Sequence, residues 1–232
     1  MKLSPVQWTN VKVADGFWTP RMETNRTATL PLEYALNRKN GVMDAYQWDW
    51  WNPADGKPPW KIWLGDVGKW IEAAAYSLAL RPDPRLSRQV EDAIQRMLKG
   101  QKPDGYLYPN RLSREWRFAN LAELHELYEV GHDMEGAVAY WQATGRREFL
   151  DAMCRCADFI DARLGPGPGK KRGYDGHPEI ELALVKLYRA TGERRYLKLA
   201  KFFIDERGQR PNYFDRETKA AKKNGVFTMG WV

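Results

Sequence analysis

Three histidines, His125, His132 and His177, are all that this chain contains, and they fall within one stretch, Leu124 to Leu187. Imidazole donates or accepts hydrogen bonds, moves protons near neutral pH and binds metals. Two of the three sit in Gly-His pairs, Gly131-His132 and Gly176-His177. Each pair precedes an apolar, helix-patterned run, and the runs end alike, in Ala143-Thr144-Gly145 and Ala190-Thr191-Gly192. His125-Glu126 with His132 is not a His-Glu-x-x-His zinc pattern, because the second histidine is seven positions on rather than four. No metal ligand is therefore assigned. Glu179 and Glu181 do not make a catalytic pair: two apart on a helix, they point roughly 200° from one another. No catalytic residue is assigned either.

The two Gly-His histidines could be helix-start residues satisfied by backbone groups or contacts to a ligand, and the aromatic residues give a sharper signal. Trp48, Trp50, Trp51, Trp60 and Trp63 crowd a segment rich in Pro, Gly and Asp. A tryptophan face is flat and apolar with a polar edge, which complements the C–H face and hydroxyl rim of a sugar. The same cluster would equally plug one end of a helical core. Tyr106 and Tyr108, two apart in an extended piece, share a face and suit a cleft wall. Asp66 opens a helix, where it either caps the backbone or accepts from a ligand hydroxyl.

The bulk numbers narrow the class. The 232 residues are 43% hydrophobic and 29% charged, as in soluble globular proteins, and long enough for a substantial core. No apolar run approaches the length of a membrane span. Met1 to Asn10 lacks the apolar region of a secretory signal, and Cys154 and Cys156, one residue apart on a predicted helix, face different ways, so both are expected reduced in a cytoplasmic protein. The net charge of +7 is spread among acids rather than gathered into a stripe, which argues against nucleic acid.

Residues 7–18 alternate around Val11 and Val13 and predict a short strand, so residues 1–18 form an N-terminal strand segment. A helix is expected from Pro20 with Thr19 as its cap, kinked or broken at Pro31 and stopping at Asn40-Gly41. Further helices are expected over 66–80, 84–100, 113–128, 133–144, 146–162, 177–189 and 193–207. Ala143-Thr144-Gly145-Arg146-Arg147-Glu148-Phe149-Leu150 repeats as Ala190-Thr191-Gly192-Glu193-Arg194-Arg195-Tyr196-Leu197, with a weaker copy around Arg81-Pro82-Asp83-Pro84. Helix, tight turn, helix is a unit that stacks, since one hairpin cannot bury its own apolar face. The expectation is an all-α chain, a partial (α/α)6 toroid over 19–211, with an irregular tail over 212–232. Asp66, His132 and His177 would each open an inner helix and converge on one mouth. A closed toroid needs more helices than these, so the chain is expected to be the front of a longer protein, and its open helix faces are expected to self-associate.

The chain resembles the β-L-arabinofuranosidase family, glycoside hydrolase family 127. Asp15-Gly16-Phe17-Trp18, Asp66-Val67-Gly68-Lys69-Trp70-Ile71-Glu72-Ala73-Ala74 and Gln101-Lys102-Pro103-Asp104-Gly105-Tyr106-Leu107 carry the likeness, together with His125-Glu126-Leu127-Tyr128, Gly131-His132 through Gly145, Gly176-His177 through Leu184, and Phe202 to Gly208. The resemblance implies an (α/α)6 barrel and a retaining glycosidase acting on an arabinoside-type glycan. It also implies a cysteine nucleophile held with other cysteines and a glutamate around zinc, in a later half of the barrel. Cys154 and Cys156 do not sit in that context, so no cofactor is expected within this chain. The residues expected to contact the sugar are His132, His177, Asp66, Trp63 and Tyr106. The alternatives are a non-catalytic carbohydrate-binding piece or a helical-repeat interaction module.

Overall fold

The computed structural model describes residues 6–47, 65–109, 114 and 117–223. Their regular secondary structure is almost wholly helical. The N-terminal strand does not form: Trp8–Asn10 is a 3-10 turn, and the extended backbone that follows has no partner strand among the described residues. Alternation makes a strand only where another edge lies alongside, and Val11 and Val13 instead remain exposed. The described β pairing is an isolated bridge between Leu164 and Lys171.

Helix α1 (Trp18–Thr24) runs through a π turn (Asn25–Thr29) into α2 (Leu30–Lys39). Its cap is Asp15 rather than Thr19: the Asp15 carboxylate accepts from the Phe17 and Trp18 amides, while Thr19 Oγ1 accepts from the Asp15 amide. Pro31 has no amide proton to return to the preceding turn. The π turn just before it absorbs the defect, so of the kink or break expected there the break does not occur and the helix continues.

Three hairpins follow. They pair α3 (Asp66–Leu80) with α4 (Pro84–Leu98), α5 (Glu126–Thr144) with α6 (Glu148–Arg163), and α7 (Ile180–Thr191) with α8 (Arg194–Arg207). The repeated turns are built alike. Gly145 and Gly192 both cap in the left-handed region, at φ 74° and 79°. Thr144 and Thr191 each donate back to the carbonyl four residues earlier and accept from the amide two residues ahead. The first hairpin turns differently, with Asp83 accepting from the Arg85 and Leu86 amides to cap α4.

Helix α5 packs between α3 and α7, and 13 of its 19 residues are buried, which marks it as the central helix. Its backbone touches that of α3. A Cβ on Gly68 would lie 2.6 Å from the His132 carbonyl carbon, and one on Gly136 would lie 2.7 Å from the Gly68 oxygen. These two glycines set the first turn of α3 against the second and third turns of α5.

The tail is not irregular throughout. Helix α9 (Tyr213–Lys223) is opened by Asn212, whose side chain accepts from the Phe214 amide. Glu217 pins it to the body, accepting from the Leu121 and Ala122 amides at 2.9 Å each and from Lys171 Nζ at 2.8 Å. This anchor joins residues almost a hundred positions apart, which is why no local pattern revealed it.

Candidate functional site

The first Gly-His pair does not open a helix. Helix α5 begins at Glu126, so His132 lies in its second turn, and residues 117–125 are turns rather than the expected helical approach. The start is fixed from outside. Asp175, fully buried in the loop before α7, accepts from the Leu127 amide at 3.1 Å and from the His177 amide at 3.0 Å. One carboxylate thus caps α5 and shapes the second Gly-His turn. His125, just before the helix, has φ 57°, a left-handed conformation uncommon for a residue with a side chain.

The three histidines meet around Tyr128. Its ring lies 4.6 Å from that of His132, 4.9 Å from His177 and 5.9 Å from His125, centre to centre. His125 Nε2 is 2.9 Å from His177 Nε2. Lys69 Nζ donates to the Tyr128 hydroxyl at 2.9 Å and lies 3.7 Å from Asp66. Asp66, His132 and His177 therefore do share one rim, with Lys69 and Tyr128 between them. Asp66 and Lys69 also line a cleft of about 510 Å³ with Leu30, Asn37 and Trp70. Trp63 and the rest of its cluster, Trp48 to Trp60, lie outside the described residues. Tyr106 is a correction. Its ring is 2% exposed, packed on Phe159 under the Arg117 guanidinium, and its hydroxyl donates to Glu126. A ring enclosed on these sides offers no wall to a ligand.

Behind the histidines lies a set of acids that spacing alone did not single out. Glu126, Glu129 and Asp133 are buried on α5, as is Glu135 one turn beyond His132. His132 Nδ1 is 3.4 Å from Glu135 and 3.4 Å from Glu179, the residue that precedes α7. Lys186 of α7 pairs with Glu135 and, at 3.0 Å, with Glu72 of α3, tying the three adjacent helices through one ammonium. Burial and the neighbouring Glu135 push the Glu179 carboxyl well above the usual range. Burial also opposes ionisation of Glu135, but hydrogen bonds from His132, Glu179 and Lys186 outweigh it and hold Glu135 ionised. Both carboxyl groups face Nδ1 of His132. Its Nε2 is buried and has no hydrogen-bond partner among the described residues. A signal existed for this group: Tyr128, His132 and Glu135 follow at i, i+4 and i+7, one helix face. Reading the helix as starting after His132 concealed it.

His132, Glu135 and Glu179 bring donor atoms within 4.8 Å of one another, close enough to share a cation, although the Lys186 ammonium already balances Glu135. A thiolate–zinc group is a different matter, and the cysteines of this chain do not fit it. Cys156 is buried on α6, and burial pushes its thiol up to about 12; burial raises Cys154 as well. Zinc takes several ligands at once, and neither cysteine belongs to a group of described residues close enough together to share a metal ion.

The sequence matches the β-L-arabinofuranosidase GH127 catalytic-domain family over residues 10–227. The chain belongs to glycoside hydrolase family 127. Among GH127-related proteins, a non-reducing end β-L-arabinofuranosidase of Bifidobacterium longum subsp. longum is 45% identical over 168 residues, which is 70% of this chain and 26% of that protein. The crystal structure of a GH127 β-L-arabinofuranosidase from Geobacillus stearothermophilus T6 superposes with a TM-score of 0.82 at 39% identity, covering 96% of this chain and 36% of that one. A second GH127 β-arabinofuranosidase structure gives 0.80 at 39% identity over 88% of this chain and 34% of its own. The chain thus spans about a quarter to a third of the length of these relatives. All-α architecture, expected from the repeats, is what the described residues adopt.

Proposed function

We propose that this chain binds an arabinoside-type carbohydrate and serves as the sugar-positioning part of a GH127 glycoside hydrolase, with the nucleophile supplied from elsewhere. The observation that carries this is the packing of His132 and His177 on Tyr128, to which Lys69 links Asp66, with the His132 Nε2 buried and without a hydrogen-bond partner among the described residues. Hydroxyl groups are the donors such a nitrogen lacks, and a rigid set of acceptors holds a sugar in register for chemistry at its anomeric carbon. The protonated thiols of Cys154 and Cys156 support placing the nucleophile outside this set. Membership in GH127 and the activity named for the relatives favour arabinose over other sugars.

Isothermal titration with methyl β-L-arabinofuranoside tests the reading, with the matching galactoside as comparison. The expected result is saturable binding to the arabinoside, weakened about tenfold or more in His132→Ala and His177→Ala, the scale of one buried hydrogen bond. Equal heats from both sugars, unchanged in the two variants, would overturn it.

A further inference from the structure

We infer that His132, Glu135 and Glu179 form a binding site for a divalent transition-metal ion, zinc in particular, built from one nitrogen and two oxygen donors. His132 Nδ1 lies 3.4 Å from Oε2 of Glu135 and 3.4 Å from Oε1 of Glu179. Both gaps are long for hydrogen bonds, which close to about 2.7–3.2 Å. They suit a shared ion, since tetrahedral zinc with bonds of about 2.1 Å holds its ligand atoms about 3.4 Å apart. The three donor atoms all lie within 4.8 Å of one another. Oε1 of Glu179 is buried and has no hydrogen-bond partner among the described residues, so the oxygen that faces His132 is one that lacks a donor.

The surroundings are arranged as a metal site requires. Glu135 meets Lys186 through its other oxygen, Oε1, which leaves Oε2 to the ion and holds the carboxylate in orientation. Lys186 also reaches Glu72 at 3.0 Å, and a dication balances the carboxylates of Glu72, Glu135 and Glu179 together with that ammonium. Gly131 makes the room: a Cβ there would lie 2.7 Å from Glu179 Cγ. The glycine of the first Gly-His pair thus admits one ligand, and the histidine supplies another. The side chains of His132 and Glu179 are 14% and 13% exposed, which leaves an ion a way in from the rim. Imidazole with carboxylates suits zinc and its neighbours, whereas magnesium keeps to oxygen ligands and its own water. With the ion on Nδ1 the ring proton sits on Nε2, and a hydroxyl, which both donates and accepts, still satisfies it. The site goes beyond the sugar reading and does not rest on it, because metal binding is measured with no sugar present.

Isothermal titration of the chelator-stripped chain with zinc chloride, and separately with magnesium chloride, tests the site. The expected result is one zinc ion bound per chain, with no saturable heat from magnesium. Glu179→Gln keeps the shape of the side chain but offers a weaker, uncharged ligand, and should weaken zinc binding about tenfold or more. A second measurement uses the wild type alone and decides the matter if that variant does not fold. With three histidines in the chain, ¹⁵N-histidine labelling resolves each ring, assigned by single substitutions. One equivalent of zinc should move His132 to a metal-bound Nδ1 with a protonated Nε2. The inference is overturned by an absence of saturable zinc binding, by magnesium binding as tightly as zinc, by unchanged zinc affinity in a folded Glu179→Gln, or by a His132 ring that zinc does not move.

Discussion

Replacing Glu126 by glutamine should change how stability depends on pH more than stability itself. Glu126 is 2% exposed and sits at the start of α5, where its carboxyl accepts from the Phe118 amide at 2.6 Å and from the Tyr106 hydroxyl at 3.1 Å. Burial pushes its pKa from an ordinary 4.5 to about 8, against the pull of those two hydrogen bonds. The folded value lies above the unfolded one. Its favourable contribution is therefore fully present below about pH 4.5 and is lost as pH rises towards 8, each pH unit costing ~1.4 kcal/mol. Between pH 5 and pH 7 the loss from this one group is on the order of 2 kcal/mol. Glutamine keeps the shape, can accept from Phe118 and donate to the Tyr106 oxygen, and does not titrate. The stability of Glu126→Gln relative to wild type should thus rise by ~2 kcal/mol from pH 5 to pH 7. Asp175, also pushed up by burial to about 7, faces Glu126 and helps to raise it, so the difference between the two proteins reads the slope of Glu126 together with that mutual repulsion. Urea unfolding followed by the fluorescence of the eleven tryptophans reads this directly. Parallel pH curves for the two proteins would refute the reasoning.

Two further outcomes are expected. Gly136→Ala should destabilise the chain by ~1–3 kcal/mol in the same urea assay, because the new methyl meets the Gly68 carbonyl rather than a yielding side chain. Iodoacetamide at pH 8, followed by mass spectrometry, should leave Cys156 unmodified in the native protein, since burial holds its thiol near 12, and should label it fully in urea.

The hairpins were legible because their turns carry local chemistry: a threonine that bonds backward and a glycine that takes the left-handed cap are readable at Thr144-Gly145 and again at Thr191-Gly192. The meeting of Asp66, His132 and His177 was legible through the same repeat, although the reason given for it, three helix starts, holds for Asp66 alone. What escaped was set by partners distant in sequence. The cap of α5 comes from Asp175, and α9 is held by Glu217 reaching Leu121 and Ala122. Alternating valines at 11 and 13 suggested a strand, but no described partner strand lies alongside. Tyr106 looked like a wall residue by spacing, while its hydroxyl had a buried acid to satisfy at Glu126. The buried acids behind His132 were hidden because each acid, read alone, resembles an ordinary solvated helix residue.

The Asp175 cap also bears on how the chain acquires its structure. A stacked array of hairpins ordinarily lets each unit form once its neighbour supplies an apolar face. Here the first turn of α5 lacks its carboxylate until the loop before α7 is in place, and that loop holds the other oxygen of the same carboxylate through the His177 amide. The unit that assembles is therefore larger than a helix pair: it extends one turn into its successor. Loosening the segment around His177 would fray α5 at the same moment, and amide exchange at Leu127 and His177 would rise together although fifty positions of chain separate them.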